Sequence, residues 1–396
     1  MSLLLTGATV VDVLTGTAAP ADVLVVDGKI SAIGSGLVGD ETVDLGGHYL
    51  MPGLINMHNH FSLTLPGAEG DRISALDAYG LALYMADAAT KTVRAGVTTV
   101  RCVAEKDGAD FALRSAIQGG TIVGPRILTA GRALVCTGGH GHEGSDTLEC
   151  DGADGFARGV REQVKRGADV IKVMISGGIA GEHEQIATPQ LRRDEMAAVI
   201  EVAHSWGRKV TAHAGPASVI AEAVELGLDC VEHGYQLTPE VATAMAAAGT
   251  ALVPTLVVTR AGSFFDTLGV PAWMQQRSLD AGPQHIASYR MAQHAGVEIL
   301  LGSDMPPYWP FEGTSAIVRE LEYMNEFGLD AASALAAATI GPARWLGIDD
   351  STGSITVGKS ADLIALTENP LESVDALRSL DLVMAHGAIV RDDRGL

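Results

Sequence analysis

MPGLINMHNH, residues 51–60, is the stretch on which the fold turns. Pro52 and Gly53 punctuate the end of a β-rich region, and an apolar run then leads to His58 and His60. Spaced two apart on a strand, these imidazoles project from one face and can share a cation. An isolated His-x-His is a weak signal, since a lone histidine in a core is commoner than a ligand. Its company strengthens it. Lys172 in VIKVMI, His213 in TAHAG, His233 in VEHG and Asp304 in LLGSD also sit in or close short apolar runs. Candidates spread over roughly 250 residues meet only where strand ends are gathered, as at the C-terminal face of a barrel.

Working outward, eight strand candidates can be read: GLINMH (53–58), VTTVRCV (97–103), RILTAG (126–131), DVIKVMI (169–175), KVTAHA (209–214), DCVEH (229–233), ALVPTL (251–256) and EILLGSD (298–304). Between them lie amphipathic or Ala-rich segments such as DEMAAVIEVAHSWG (194–207), PEVATAMAAAG (239–249) and IASYRMAQHAG (286–296), several closed by Gly at the expected C-terminus. Near-continuous apolar strands alternating with crossover helices predict a parallel sheet buried on both faces. The fold class expected is α/β, a TIM-like (β/α)8 barrel over residues 52–350. An open doubly wound sheet would not bring six ligands together from strands so far apart in order.

Residues 1–51 carry short β-rich runs separated by Gly and Asp, among them LLLTGATVV and ADVLVVDGKISAIG. GSITVGKSADLIAL and LDLVMAHGAIVRDD, within residues 351–396, repeat that texture after a helical stretch ending near Gly347. The two ends are expected to build one small β-sandwich domain.

With 396 residues and 47% apolar content, the chain can bury a large core. A formal charge of −21 argues against nucleic acid and anionic membrane, both of which need basic patches. No apolar window of about 18 residues suggests a spanning helix, and MSLLLTGATVVDVL lacks a cationic leader, so a cytoplasmic protein is expected. The partner expected is a small-molecule substrate, with the chain in a homo-oligomer. Cys102, Cys136, Cys150 and Cys230 show no paired spacing and read as reduced thiols in apolar surroundings.

An unpaired ammonium at Lys172 would be costly to bury. Either it reaches water or an acid, or its amine is neutral and captures carbon dioxide as a carbamate that bridges two metals. Asp304 could bind metal and exchange a proton with bound water, or cap the segment that follows. His140 could order a Gly-rich loop or face a reacting carbonyl, and Tyr235 could cap the barrel rim or touch substrate. Arg260 could pair with a substrate carboxylate or lie on a solvated loop. His142, Glu182 and His183 occupy the loops after the third and fourth strands and are weaker candidates.

MPGLINMHNH, VIKVM, TAHAG, VEHG and LLGSD together resemble the amidohydrolase superfamily, in the order of its binuclear, carboxylated-lysine members, and the resemblance spans nearly the whole chain. TGGHGH, GADVIKVMISGG and VEHGYQLTPE are most similar to the prolidase-like and Xaa-Arg type dipeptidases of that superfamily. The resemblance implies a first metal at His58, His60 and Asp304, a second at His213 and His233, and carbamylated Lys172 bridging them. Zinc suits the imidazole-rich set. It further implies hydrolysis of an amide bond in a dipeptide or N-acyl amino acid by a metal-bridging hydroxide. Asp304 would shuttle the proton, His140 would stabilise the oxyanion, and His140, Tyr235 and Arg260 would bind substrate. GGHGHEGSD and ISGGIAGEHEQIATPQ depart from the pattern of several such peptidases, which leaves the substrate open. A cyclic amide or lactone hydrolase is the nearest alternative, and a non-catalytic metal-binding scaffold is one of another class. A single-metal deaminase would not need Lys172.

Overall fold

The computed structural model describes residues 2–63 and 65–395. Seven barrel strands are laddered: Leu54–Asn59, Val97–Cys102, Arg126–Thr129, Val170–Met174, Lys209–Pro216, Cys230–Gln236 and Ala251–Val253. Neighbours pair in parallel, with Ile55 opposite Thr99, Val100 opposite Ile127, Lys172 opposite Thr211 and Val231 opposite Leu252. The third and fourth strands meet where Asp169 N–H donates to Thr129 O (2.8 Å).

The eighth segment is shorter than the sequence suggests. Residues 298–301 close the ring without forming a full ladder: Leu252 N–H donates to Glu298 O (2.9 Å), Leu300 N–H to Leu252 O (2.9 Å), and Met57 N–H to Leu301 O (2.8 Å). Gly302 then lies so close to the first strand that a Cβ there would sit 2.8 Å from His58 Cβ, and Asp304 turns the chain away at φ 53°. The stretch read as a loop after the third strand also holds two short strands. Ala133–Val135 and Thr147–Glu149 pair in parallel and extend the sheet beside the fourth strand through Leu134 and Val173.

The first, second and fourth strands are buried at every position, as the unbroken apolar runs require. Helices pack outside. Ala78–Arg94, Gly152–Arg166, Arg193–Ser205, Ala217–Glu225, Pro239–Ala248 and Ala272–Ala295 follow strands in turn. Left-handed glycines close several of them, Gly167, Gly249 and Gly296 among these.

Both ends of the chain enter one eight-stranded sheet. Ser2–Asp12 pairs with Thr17–Val26, and Tyr49–Pro52 joins it to Leu363–Leu366, which continues into Leu380–Ala385 and Ala388–Asp392. Leu5, Val23, Ile30, Leu50, Leu363 and Leu382 form its own apolar cluster. At the junction with the barrel, a Cβ on Gly53 would lie 2.3 Å from the Thr98 side chain, so only glycine lets the first two barrel strands approach there.

Candidate metal centre

The strand ends gather most of the sequence candidates at one cavity of about 490 Å³, whose wall includes His58, His60, Lys172, His213, His233 and Asp304. Ligand atoms of His58, His233 and Asp304 lie within 4.8 Å of one another. Ring centroids of His58 and His60 are 5.1 Å apart, and those of His213 and His233 are 4.6 Å apart.

Hydrogen bonds decide which ring nitrogens face inward. His58 Nδ1 lies 2.7 Å from Glu232 Oε2, and His60 Nδ1 lies 2.8 Å from Ala104 O. Carboxylates and carbonyls only accept, so both Nδ1 atoms carry the proton. A ring that carries only that proton presents an Nε2 lone pair. Those two nitrogens are 3.2 Å apart and stand 3.0 and 3.1 Å from Asp304 Oδ1. Three electron-rich atoms at that spacing repel unless a proton or a cation sits among them. The donor set therefore fits a divalent metal.

The remaining candidates share this environment. His213 Nε2 lies 3.1 Å from Gly177 O, which makes Nδ1 its lone-pair nitrogen, and His233 Nδ1 bonds with Thr255 Oγ1 at 2.7 Å. Burial pushes the His213 imidazole well below its ordinary value, with His140 adding to the effect. Burial does the same for His233, helped by His213. Both rings are thus kept neutral, as ligation requires. For His60, burial acts downward, but the hydrogen bond and charge of Asp304 overcome it and hold the group above its usual value. Burial would raise the Asp304 carboxyl, yet the charge and hydrogen bond of His58, with His60, keep it well below the carboxylate range. Lys172 is buried, and that burial lowers its ammonium against the opposing pull of Glu232 and Asp304.

Backbone strain concentrates here. His233, Thr255 and Asp304 all have positive φ, at 67°, 53° and 53°. Such residues cost on the order of 1–3 kcal/mol each and persist only where their surroundings hold them. The kink at His233 has a geometric result: neighbours on a regular strand face opposite sides, yet Glu232 and His233 both reach His58.

Glu232 is a residue the sequence did not single out. Its Oε1 accepts from Arg101 Nη2 and Thr211 Oγ1, and both Glu232 and Arg101 are fully buried. Burial would raise this carboxyl, but the charges of Arg101 and His58 hold it far below the usual range. Glu105 is a second such residue. It accepts from the N–H groups of Phe61 (2.6 Å) and Ser62 (2.8 Å), fixing the chain just beyond His60. An acid before a ligand in VEHG was the one available sign for Glu232; nothing local marks Glu105.

His140 and Tyr235 line the cavity. The His140 ring stacks on His213 at 4.2 Å, and Tyr235 lies parallel to His233 at 5.0 Å. Burial pushes the Tyr235 phenol well up, so it stays a hydrogen-bond donor. Arg260 is placed elsewhere. Its guanidinium stands 4.8 Å from the Tyr323 ring centroid and 4.5 Å from that of Phe327, away from the cavity wall. The sequence expectation that it meets a substrate carboxylate is therefore not met by this geometry, because two aromatic faces capture the cation instead. Glu182 lines the cavity, His183 is exposed, and His142 is bound to Gly139 O at 2.9 Å. Cys102, Cys150 and Cys230 are buried free thiols, with Cys230 pushed up to about 12 by burial and by Glu232.

A closed parallel barrel with imidazoles and carboxylates converging at its strand ends defines the class, a barrel enzyme with a candidate metal centre. The family follows from comparison: the Amidohydrolase family profile matches residues 49–390, and the chain belongs to that family. It is a hydrolase acting on carbon–nitrogen bonds, in a family that generally uses divalent metals. Ochratoxinase of Aspergillus niger is 32% identical over 364 residues, covering 82% of this chain and 71% of the relative. A solved Xaa-Pro dipeptidase with methionine bound in its active site is 30% identical with a TM-score of 0.88, over 99% of this chain and 100% of the other. A prolidase complexed with N-methylphosphonate-L-proline is 27% identical with a TM-score of 0.89, over the same shares. Among the described residues, no helix is long and apolar enough to cross a membrane.

Proposed function

We propose that the protein hydrolyses the amide bond of a dipeptide or N-acyl amino acid at a binuclear zinc centre. His58, His60 and Asp304 would hold one ion, His213 and His233 the other, and a carbamate on Lys172 would join them. The observation that carries this reading is the convergence of the His58 and His60 Nε2 atoms, 3.2 Å apart, on Asp304 Oδ1 at 3.0 and 3.1 Å. Lys172 supports it too: its amine is buried, lowered by that burial, and makes no ion pair with a described residue. A neutral amine adds to carbon dioxide through its nitrogen lone pair and loses one proton, giving the carbamate anion.

Bound divalent ions supply Lewis acidity toward the amide oxygen and acidify a water molecule. The chain's residues do the rest. Asp304, whose carboxylate is held ionised, accepts the proton that water releases and returns it to the amine nitrogen as the carbon–nitrogen bond breaks. His140 and Tyr235 line the cavity, where a protonated His140 ring and the Tyr235 phenol O–H would donate to the carbonyl oxygen as charge develops on it.

The cavity has the size of a drug-like or dipeptide-like ligand. Ile179, Phe265, Trp273, Met274 and Met305 supply apolar wall, while Asp71, Glu143, Asp146 and Glu182 add acidic groups. Lys172 is the single Lys or Arg among the described lining residues, so a substrate carboxylate would meet Tyr235 rather than a guanidinium. The test is a panel of dipeptides, N-acyl amino acids and lactones assayed against zinc-reconstituted protein. Turnover of an amide that stops on chelation and returns with zinc is expected; turnover of lactones alone would overturn the reading.

A further inference from the structure

We infer that Glu184 is a positioning residue that acts through His140, setting that ring from a loop in the next βα unit. The inference rests on the hydrolase reading, since it assigns His140 the role of facing the substrate carbonyl. Glu184 Oε1 accepts from His140 Nδ1, which places a proton on that nitrogen and leaves Nε2 to meet the substrate carbonyl oxygen, to which it donates only while it too carries a proton. The carboxylate is itself held on both oxygens. Gly178 N–H donates to Oε1 at 3.1 Å, and Gln190 Nε2 donates to Oε2.

Gln190 also reaches back. Its Oε1 accepts from the His140 backbone N–H at 2.9 Å, so ring and main chain of residue 140 are tied to one loop. The ring is boxed in as well. His213 stacks on it at 4.2 Å with planes 22° apart, and a Cβ on Gly178 would lie 2.4 Å from His140 Cε1. Turning the imidazole over would set a C–H against the carboxylate and lose the bond. From the far side, Arg277 of the helix Ala272–Ala295 donates to the carbonyls of Gly178, Ile179 (3.1 Å) and Gly181. The loop that carries Glu184 is thereby pinned, and Ile179, Ala180, Gly181 and Glu182 from the same loop line the cavity. Glu184 thus serves the site by orienting a group, with the loop as its rigid frame.

The test uses zinc-loaded protein with ¹⁵N-labelled histidine and two variants, Glu184→Ala and Glu184→Gln. In the parent, His140 should show a bonded Nδ1–H resonance; Ala should abolish it, and Gln, which keeps an acceptor oxygen, should retain it. On the best amide substrate, Ala should lower kcat by about 10- to 100-fold with KM within about twofold, and Gln should recover most of the loss. Zinc content should stay at the parental value in both. A parent spectrum with the proton on Nε2 alone, or an Ala variant with unchanged kcat, overturns the assignment, as does an equal loss in Gln. Absence of amide turnover by the parent would sink the hydrolase reading, while the resonance of His140 would still decide its pairing with Glu184.

Discussion

Replacing Glu232 with Gln should weaken metal binding while leaving the barrel able to fold. Glu232 accepts from His58 Nδ1 at 2.7 Å with one oxygen and from Arg101 and Thr211 with the other, in a setting where neither Glu232 nor Arg101 touches solvent. A carboxylate behind a ligating imidazole fixes its tautomer and raises its basicity, and losing such a partner typically costs about 10- to 100-fold in metal affinity. At about 1.4 kcal/mol per tenfold, that is about 1.4–2.8 kcal/mol of binding free energy. A second effect falls on the metal-free protein. Arg101 would remain buried over the Trp345 ring, 4.9 Å from its centroid, without its counter-charge. Breaking a buried pair by removing one partner costs about 3–5 kcal/mol, against a total stability of about 5–15 kcal/mol for a folded domain. The double variant Glu232→Gln with Arg101→Met should recover much of that stability, because no unpaired charge remains, but none of the metal affinity. Competition with a chromophoric chelator gives the zinc Kd, and urea unfolding of the apo forms gives stability. A Kd within twofold of the parent in Glu232→Gln, or affinity restored by the second substitution, would refute the reasoning.

Lys172→Ala should abolish hydrolysis, with partial rescue by short carboxylic acids in a steady-state assay; full activity without additives would rule out the bridging carbamate. Asp110, buried beside Glu105, is pushed up to about 8, so the folded protein holds a proton that the unfolded chain releases. Its contribution to stability is complete below about pH 4 and is lost as pH rises toward 8, at no more than about 1.4 kcal/mol per pH unit. Asp110→Asn should flatten that slope in denaturant melts at pH 5, 6, 7 and 8, and an unaltered slope would contradict the assignment. Arg260→Met should lower the melting temperature through loss of its contacts with Tyr323 and Phe327, with KM unchanged; a raised KM for acidic substrates alone would restore the carboxylate-binding role expected from sequence.

What could be read ahead of the structure follows from where each signal resides. Apolar runs such as VIKVM and TAHAG announce strands buried on both faces, and ligands at their ends announce the cavity, because both are local patterns. Partners set by tertiary approach leave no such mark. Glu232 looks like an ordinary strand position until the left-handed backbone at His233 brings both residues to His58. Glu105 and Glu184 act across 44 residues each, on Phe61 and His140, through loops whose shape the sequence does not display. Arg260 shows the reverse error: nearness to the seventh strand placed it at the mouth, whereas Tyr323 and Phe327, from a distant helix and its end, hold its guanidinium. The eighth segment read as a full strand, but Gly302 and the turn at Asp304 end its ladder early.

A crystal of the zinc-loaded protein, measured at the zinc absorption edge, bears most directly on the claim that paired cations share a carbamate on Lys172. Two anomalous peaks should appear beside His58, His60, His213, His233 and Asp304, with density for a carboxyl group continuous with Lys172 Nζ. One peak, or none, beside an unmodified amine would contradict it.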